Sequence, residues 1–420
     1  MGGGAPDQLA RGRRRAITAI GVGAVTIDSA LLGLISPLLP EIERRTGAGD
    51  AALGLALAAY AIPIALFSLP LGRFADSIGR RALLVVGLVF VAGGSILIAV
   101  SHSIGLLVIA RAVQGLGSAA SWISALALVL DMAPPGRRGE ALGVALSATG
   151  AGSIAGPAFG GVTADATTFE VPFLISAALA AALLLASLIV LPRGVRSRGP
   201  SIPALPVIIE ATTSRTGAWG AAIMLAGAGV LGLIEVVAPL DLETRLGLSS
   251  ATIGILFAAS IAVDSAFSPF GGRWGDRRGR QGPAVAGLAL SAISVALLAI
   301  LPGLAGAAVA LALYGAGFSL AMAASVPWLD EAVPDAARGL AYGVQNLLYA
   351  AGYIVGPVAG GVLLDWAGAD LAYTLTGGPS RDRSRSARRR TTGGPPKHPT
   401  RGARRASRSH TQTDRRSERS

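Results

Sequence analysis

The sequence of 420 residues contains no cysteine, and Asp, Glu, Lys and Arg together make up only 14% of it. The lack of cysteine excludes disulfide bonds, iron–sulfur clusters and thiolate zinc sites. His102 is the single histidine before residue 379, so a histidine-based metal centre is also excluded and carboxylates are the candidate proton carriers. Hydrophobic residues account for 52% of the chain and its mean hydropathy is +0.60, a balance typical of a multi-span membrane protein.

The positive charge of the protein is concentrated at its C-terminal end. The formal net charge is +12, but residues 379–420 carry 14 Lys and Arg against 3 acidic residues, which leaves residues 1–378 close to neutral. We therefore expect no nucleic-acid partner for the apolar part of the chain. Residues 379–420 contain no Val, Ile, Leu, Met, Phe, Trp or Tyr, and this composition predicts a basic disordered tail.

Apolar stretches of about 20 residues, long enough to cross a bilayer as helices, recur along the rest of the chain. They predict an all-α polytopic membrane protein. If the N-terminus is cytoplasmic, 18 of the 22 arginines before residue 379 fall in cytoplasmic segments, as the positive-inside rule requires. We therefore expect a multi-pass protein of the cell (plasma) membrane with a cytoplasmic N-terminus. The eleven predicted spans cover residues 16–39, 51–72, 82–101, 104–132, 139–163, 171–192, 217–240, 250–272, 283–302, 304–329 and 339–364.

An internal repeat divides the chain into two related blocks. The stretch "GRFADSIGR" from Gly72 recurs as "GRWGDRRGR" from Gly272, and "AGSIAGPAFGGV" from Ala151 recurs as "AGYIVGPVAGGV" from Ala351, at one offset of 200 residues. Membrane transporters are commonly built from such repeats, so we expect two six-helix bundles related by a pseudo-two-fold axis. The predicted segments are a cytoplasmic tail at 1–15, a six-helix bundle at 16–192, a cytoplasmic linker at 193–216, a second bundle at 217–378 and the basic tail at 379–420.

The second bundle has five clear helices and an incomplete sixth. Between Asp365 and Gly378 too little apolar sequence remains for a span, so we expect the twelfth helix to be lost or truncated. Two explanations stay open: a natural basic tail that binds anionic lipid headgroups, or an altered reading frame that replaced the original helix. The second explanation predicts weak or absent transport.

The repeated glycine–proline motif is costly for a helix, because proline removes a backbone hydrogen bond and glycine adds conformational freedom. In a membrane, small residues four apart let two helices approach closely, and a proline near a helix end is tolerated. The symmetric placement favours two helices that act as pivots for rocking between inward-open and outward-open states, and a static small-residue interface is the alternative. The predicted pivot residues are Gly152, Gly156, Pro157, Gly160, Gly161, Gly352, Gly356 and Pro357.

Three stretches in order resemble signatures of the major facilitator superfamily, and the resemblance covers about residues 15–375. "GRFADSIGRR" resembles the loop signature between helices 2 and 3, "RAVQGLGSAA" the helix-4 signature, and "AGSIAGPAFGG" the helix-5 signature of the antiporter branch. The first span, "IDSALLGLISPLLP", and the seventh, "LGLIEVVAPL", further resemble the drug:proton antiporters, including vesicular monoamine and multidrug efflux transporters. The resemblance implies the two-bundle fold and transport by alternating access.

The resemblance also implies a charged latch in the loop signature that stabilises one conformation. The alternative is that the arginines only satisfy the positive-inside rule, although that rule does not explain an aspartate repeated in both halves. The implied N-terminal copy contains Gly72, Asp76, Gly79, Arg80 and Asp131, and the C-terminal copy contains Asp276, Arg280 and either Glu331 or Asp330.

Four charged residues lie well inside predicted spans, where each costs at least about 2.5 kcal/mol at the membrane centre: Asp28, Arg111, Glu235 and Asp264. The resemblance assigns Arg111 to proton coupling and matches Asp28 to the membrane carboxylate of amine-exporting relatives. Glu235 lies in the pseudo-equivalent helix, and both carboxylates are expected to face the cavity. The alternatives are a structural ion pair for Arg111 and a contact with a neighbouring helix for Asp264.

One face of the predicted helix 11 is polar and aromatic. It is expected to line a central site, with packing as the alternative. This face consists of Tyr342, Gln345, Asn346, Tyr349 and Tyr353.

These features predict a secondary transporter. A carboxylate in a dry cavity can bind a proton from one side and release it when a cationic substrate arrives from the other. We expect a monomer in the lipid bilayer, driven by a proton gradient without cofactor or metal, that exports a cationic or amphiphilic organic compound. Met322 and Asn346 stand where vesicular amine transporters carry further acidic residues, which leaves the substrate open.

Export of a sugar or metabolite is one alternative, and a transport-inactive sensor, scaffold or truncated product is another. The sequence offers no nucleophile with a base and no metal cluster, so we do not expect an enzyme.

Overall fold

The computed structural model describes residues 4–134, 136–192, 204–333 and 338–367, with side chains described for residues 12–67, 78–134, 136–192, 206–333 and 343–366. Every regular element in these ranges is helical. Eleven helical segments are long and apolar enough to cross a membrane, which confirms the predicted all-α polytopic fold. The helices are α1 (Gly4–Leu34), α2 (Leu39–Thr46), α3 (Asp50–Ile78), α4 (Arg80–Ala99), α5 (Ile104–Asp131), α6 (Arg138–Ala166), α7 (Glu170–Val190), α8 (Ala204–Thr213), α9 (Arg215–Leu246), α10 (Ser250–Arg278), α11 (Gln281–Ile300), α12 (Gly303–Glu331) and α13 (Arg338–Ala367).

The first span is longer than the sequence predicts. A 3-10 turn at Ser36–Leu38 joins α1 to α2, so the helical path continues to Thr46 instead of ending near residue 39. Pro37 occupies the start of this turn, where its missing backbone donor costs least. The predicted linker at 193–216 also contains a helix, the short α8, next to residues 193–203, which lie outside the described ranges.

The sequence repeat is also a repeat of packing. In the N-terminal half (α1–α7), α1 packs on α6, α3 on α5, and α4 on α5. In the C-terminal half (α9–α13), the equivalent pairs are α9 with α13, α10 with α12, and α11 with α12. The two halves meet along α3 with α13 and along α6 with α10. Two ends of the bundle are therefore defined: the Asp50 end, where α3 and α10 begin, and the Asp131 end, where α5 and α12 end.

Glycines spaced four apart in α6 and α13 bring helices of the same half into backbone contact. A side-chain methyl group at Gly156 would collide with the backbone of Ala30 in α1, and one at Gly356 would collide with Gly229 in α9. The flanking members of each row, Gly152 with Gly160 and Gly352 with Gly360, face the same partner helices. The glycines thus satisfy the packing rule for membrane helices within each half.

A second group of glycines joins the two halves. Gly161 in α6 lies against the carbonyl oxygen of Ser250 in α10, and Gly361 in α13 lies against that of Asp50 in α3. Two more contacts of this kind join Gly54 in α3 to the Pro357 carbonyl and Gly254 in α10 to the Pro157 carbonyl. All four contacts lie toward the Asp50 end and seal the bundle there. The pivot role of these helices stays a prediction, but the glycines perform two separate packing tasks.

The expected loss of a twelfth helix falls on residues 368–378, outside the described ranges, as does the predicted tail at 379–420. The predicted segment boundaries therefore stay predictions. What the described residues establish is that both halves share one packing plan and close on each other at one end.

Candidate functional site

A cavity of about 210 Å³ lies between the halves, on the Asp131 side of the glycine seal. Helices α1, α3, α5 and α6 contribute most of its wall, and α13 completes it from the C-terminal half. Its wall is largely apolar, with a few polar side chains, as is usual for small-molecule sites. The polar lining consists of Asp28, Ser29, Ser118, Thr149, Ser153 and Asn346, and the aromatic lining consists of Tyr60, Trp122, Tyr349 and Tyr353.

Asp28 is the acidic residue in the cavity wall. It is 8% exposed, and the hydroxyl groups of Ser118 and Tyr60 lie beside its carboxyl group. Its Oδ1 atom accepts no hydrogen bond from any residue that the structure describes. A buried carboxylate oxygen that accepts no hydrogen bond raises the free energy of the protein, so the site favours binding of a cation or a proton.

Arg111 lies behind the cavity wall and is fully buried. Its guanidinium group is 4.3 Å from the ring centroid of Tyr60, a cation–π geometry, and Nη1 donates to Gln114 Oε1 at 2.6 Å. No carboxylate within the described ranges forms an ion pair with Arg111, and its Nε and Nη2 atoms make no hydrogen bond there. The predicted alternative of a structural ion pair is therefore not what holds this side chain. Tyr60 separates its charge from the cavity.

Glu235 is reached from the cavity through Tyr353. The Tyr353 hydroxyl donates a hydrogen bond to Glu235 Oε2, and the Tyr353 ring stacks on Tyr349 with centroids 6.3 Å apart. Glu235 is 5% exposed and does not itself line the cavity, which corrects the expectation that it faces the cavity directly. Arg111 interacts electrostatically with both Tyr353 and Glu235. One buried polar cluster thus joins Asp28 and Tyr60 of the N-terminal half to Glu235 and Tyr353 of the C-terminal half.

Two further predicted site residues, Asp264 and Gln345, also lie outside the cavity wall. Asp264 is half-buried in α10, where it interacts electrostatically with Tyr314 and Tyr349. Gln345 donates to the Val326 carbonyl of α12 at 3.3 Å, so it joins two helices instead of lining the site.

The separation of Gln345 from Asn346 follows from helix geometry. Asn346, Tyr349 and Tyr353 recur at three- and four-residue spacings and share the cavity face. Gln345 is rotated by about 100° from its neighbour, which turns its side chain toward α12. The side chain of Tyr342 lies outside the described residues.

The predicted latch is represented by one ion pair in each half. Arg80 pairs with Asp131, and Arg280 pairs with Glu331 at 2.5 Å, which selects Glu331 over Asp330 as the partner. Both pairs join neighbouring helices of one half, at the Asp131 end. They stabilise the halves separately and do not connect them.

The remaining latch residues behave differently. Gly79 and Gly279 have φ of 91° and 84°, which allows the sharp reversals between α3 and α4 and between α10 and α11. Asp276, expected to join the second latch, is exposed and forms no ion pair with a described residue. The side chains of Gly72 and Asp76 lie outside the described ranges.

The sequence analysis did not predict Tyr60, Ser29, Thr149 or Ser153 as site residues, and Tyr60 is the most central of them. It contacts both Asp28 and Arg111, yet a lone tyrosine in an apolar span resembles ordinary packing in the sequence. The missing side chain of Gly115 lets α5 rest on the Tyr60 carbonyl, a contact that only the structure reveals. No group of His, Asp or Glu within the described residues could hold a metal ion.

The fold and part of the sequence are similar to known transporters. The mouse synaptic vesicular amine transporter is 26% identical over 297 residues, which cover 67% of this chain and 55% of that protein. The chain spans roughly half the length of the curated relatives it matches.

Two solved structures share the fold. A bacterial homologue of the human lysosomal transporter Spinster, in an inward-facing and unoccupied conformation, has a TM-score of 0.72 and 17% identity, covering 84% of this chain and 83% of that one. The nucleoside transporter NupG has a TM-score of 0.69 and 14% identity, covering 87% and 96% respectively. At these identities the likeness concerns the fold alone.

The family model described as the Major Facilitator Superfamily matches residues 19–240 and 219–380, in agreement with the duplicated helical architecture. The chain therefore belongs to the Major Facilitator Superfamily.

Proposed function

We propose that the protein is a secondary transporter that exports a cationic or amphiphilic organic compound in exchange for protons by alternating access. The observation that carries this proposal is the carboxyl group of Asp28, buried in a cavity between two halves, with one oxygen lacking a described hydrogen-bond donor. Binding of either a proton or a cation to such a carboxylate is favourable in free energy, and the two exclude each other. Exchange of one for the other couples the two fluxes.

The cavity lining supports a substrate with a positive charge and an aromatic or apolar body. Trp122, Tyr349 and Tyr353 present ring surfaces, and aromatic faces attract organic cations. Hydroxyl groups and Asn346 provide hydrogen bonds that would orient the substrate. The similarity to the mouse synaptic vesicular amine transporter adds support for an amine.

Export of a neutral sugar or metabolite is the second candidate. It is favoured by the hydroxyl groups of the four serine and threonine side chains in the wall, Ser29, Ser118, Thr149 and Ser153. Binding of a neutral polyol would not need the charge of Asp28, so the two candidates differ in their dependence on this residue.

We further propose that the N-terminus is cytoplasmic and that the protein acts as a monomer in the cell membrane. The sealed Asp50 end is then the exported face, and the structure corresponds to an inward-facing state with its cavity on the cytoplasmic side. This orientation agrees with the distribution of arginines along the sequence. We propose that the proton gradient supplies the energy for transport and that no cofactor is needed.

The test is uptake of labelled tyramine, an aromatic monoamine, into proteoliposomes with and without a pH gradient. Asp28→Asn should reduce gradient-driven uptake about 10- to 100-fold, the loss expected when a charged partner is removed. Glu140→Gln, which alters an exposed carboxylate paired with Arg137 at the Asp131 end, is the matched control and should transport normally.

The outcomes separate the alternatives. Full uptake by Asp28→Asn would contradict the coupling role of Asp28. Uptake of a labelled polyol that is unaffected by this substitution would favour the second candidate. Absence of any gradient-driven uptake by the unmodified chain, for amines and polyols alike, would favour the inactive scaffold.

A further inference from the structure

The C-terminal half caps a helix of the N-terminal half with the side chain of Asp365. Its Oδ1 accepts a hydrogen bond from the backbone N–H of Asp50 at 3.1 Å, and its Oδ2 accepts one from Ala51 at 3.0 Å. Asp365 lies in α13, whereas Asp50 and Ala51 form the first turn of α3. One carboxylate thus accepts hydrogen bonds from two backbone N–H groups of a helix N-terminus across the interface between the halves.

The N-terminal half makes the reciprocal contact. Asp165, near the end of α6, accepts a hydrogen bond from the backbone N–H of Ala251 in the first turn of α10 at 2.9 Å. Asp165 and Asp365 are 200 residues apart, as are Ala251 and Ala51. The repeat therefore places one capping carboxylate in each half, aimed at the opposite half.

The physical basis is the helix N-terminus. Its first backbone N–H groups have no partner inside the helix and carry partial positive charge, so a carboxylate placed there makes charge-assisted hydrogen bonds. α10 already has a cap of its own, because Ser249 Oγ accepts from Thr252 N–H at 3.3 Å. α3 follows Gly49, which has no side chain to cap it. A side chain at Gly49 would approach Asp365 to 3.3 Å, so the glycine leaves room for the cap from the other half.

Position and exposure indicate that these caps can be released. Both carboxylates lie at exposed positions at the Asp50 end, outside the buried core. They adjoin the backbone contacts in which Gly161 meets Ser250 and Gly361 meets Asp50. The polar caps and the glycine seal therefore close the same end, and breaking the caps exposes each carboxylate to water without burying a charge.

We propose that Asp165 and Asp365 are paired locks that hold the Asp50 end shut, and that both caps break when the cavity opens at this end. The two caps are related by the repeat, so a rocking motion of the halves releases both together. The in-half ion pairs Arg80–Asp131 and Arg280–Glu331 lack this property, because they do not join the halves. The inference rests on alternating access, as proposed above, but not on any particular substrate.

The absence of cysteine allows a direct test, because introduced cysteines are the only labelling sites. Spin labels at His102→Cys and Leu304→Cys, exposed at the Asp50 end of opposite halves, report its opening by pulsed electron spin distance measurements in nanodiscs. Loss of one cap should raise the ratio of open to closed molecules about two- to five-fold. In the double variant, Asp165→Ala with Asp365→Ala, the ratio should rise by the product of the two single increases.

The two locks should differ in strength. Asp365→Ala should open the end more than Asp165→Ala, because Asp365 accepts two hydrogen bonds and its target helix lacks a local side-chain cap. Asp365→Asn should give an intermediate effect, since an amide retains one acceptor oxygen. Glu170→Ala is the matched control: it removes the ion pair with Arg45 at 2.6 Å at the same end, but within one half, and should leave the distances unchanged.

An unchanged distance distribution in the double alanine variant would overturn the proposal. If that variant fails to insert into the membrane, Asp165→Asn with Asp365→Asn replaces it. We then expect a smaller shift of the distance distribution, and an unchanged distribution would again overturn the proposal. A protein that transports neither tyramine nor a polyol but still opens on loss of the caps would refute the proposed transport function and leave the locks standing.

Discussion

Gly161 in the N-terminal half lies against the carbonyl oxygen of Ser250 in the C-terminal half, whereas Gly156, five residues earlier, lies against Ala30 of its own half. One glycine-rich stretch therefore holds a half together and also closes it on the other half. The two tasks belong to different residues, so they can be separated by mutation.

Gly161→Ala should open the Asp50 end without unfolding the N-terminal half, because the atoms nearest to its new methyl group belong to Ser250 and Ala251 of the opposite half. Gly156→Ala should instead lower the stability of the protein by about 1–3 kcal/mol, the usual cost of overpacking. Spin-label distances across the Asp50 end and the apparent melting temperature measure the two effects. Equal loss of melting temperature in both variants, without a distance change in Gly161→Ala, would show that the glycines serve a single static interface.

Tyr353 and Glu235 should contribute to transport through the hydrogen bond that they share. Tyr353→Phe leaves the buried carboxyl group of Glu235 without this donor, and Glu235→Gln removes its charge, so each change alone should reduce gradient-driven uptake about tenfold or more. The double variant should be no worse than the more damaging single variant, because both remove the same interaction. Strictly additive losses in a double-mutant cycle of uptake rates would contradict a shared role.

The ion pairs at the Asp131 end should contribute unequally to stability. The Arg80 and Asp131 side chains are 14% and 31% exposed, whereas Glu331 is 58% exposed, so solvent weakens the second pair more. Arg280→Ala should therefore cost about 1 kcal/mol or less, and Arg80→Ala should cost more, since Arg80 also donates to the Ala127 carbonyl at 3.1 Å. Melting temperatures at low and high salt would test this order, and a larger loss for Arg280→Ala would contradict it.

The sequence was sufficient for the spans, the repeat and the buried charges, because hydropathy, a constant offset and the cost of charge in lipid are all local signals. It was insufficient wherever the answer depends on the partner across the interface. Asp165 and Asp365 look like ordinary polar residues at helix ends, and only the meeting of the halves shows what they cap. The sequence places Glu235 within a span and predicts that it faces the cavity, whereas the structure places Tyr353 between Glu235 and the cavity.

Adjacent residues of α13 provide the sharpest test of the cavity. Asn346 lines it, whereas Gln345 donates to the Val326 carbonyl of α12. Asn346→Ala should therefore change the KM of transported amines severalfold, because it removes a hydrogen-bonding group from the cavity wall. Gln345→Ala should leave KM unchanged and lower the melting temperature, because the hydrogen bond between α13 and α12 is lost at a cost of about 0.5–1.5 kcal/mol. A KM that changes in Gln345→Ala and not in Asn346→Ala would mean that α13 presents a different face to the substrate, and the cavity between the halves would then not be the transport site.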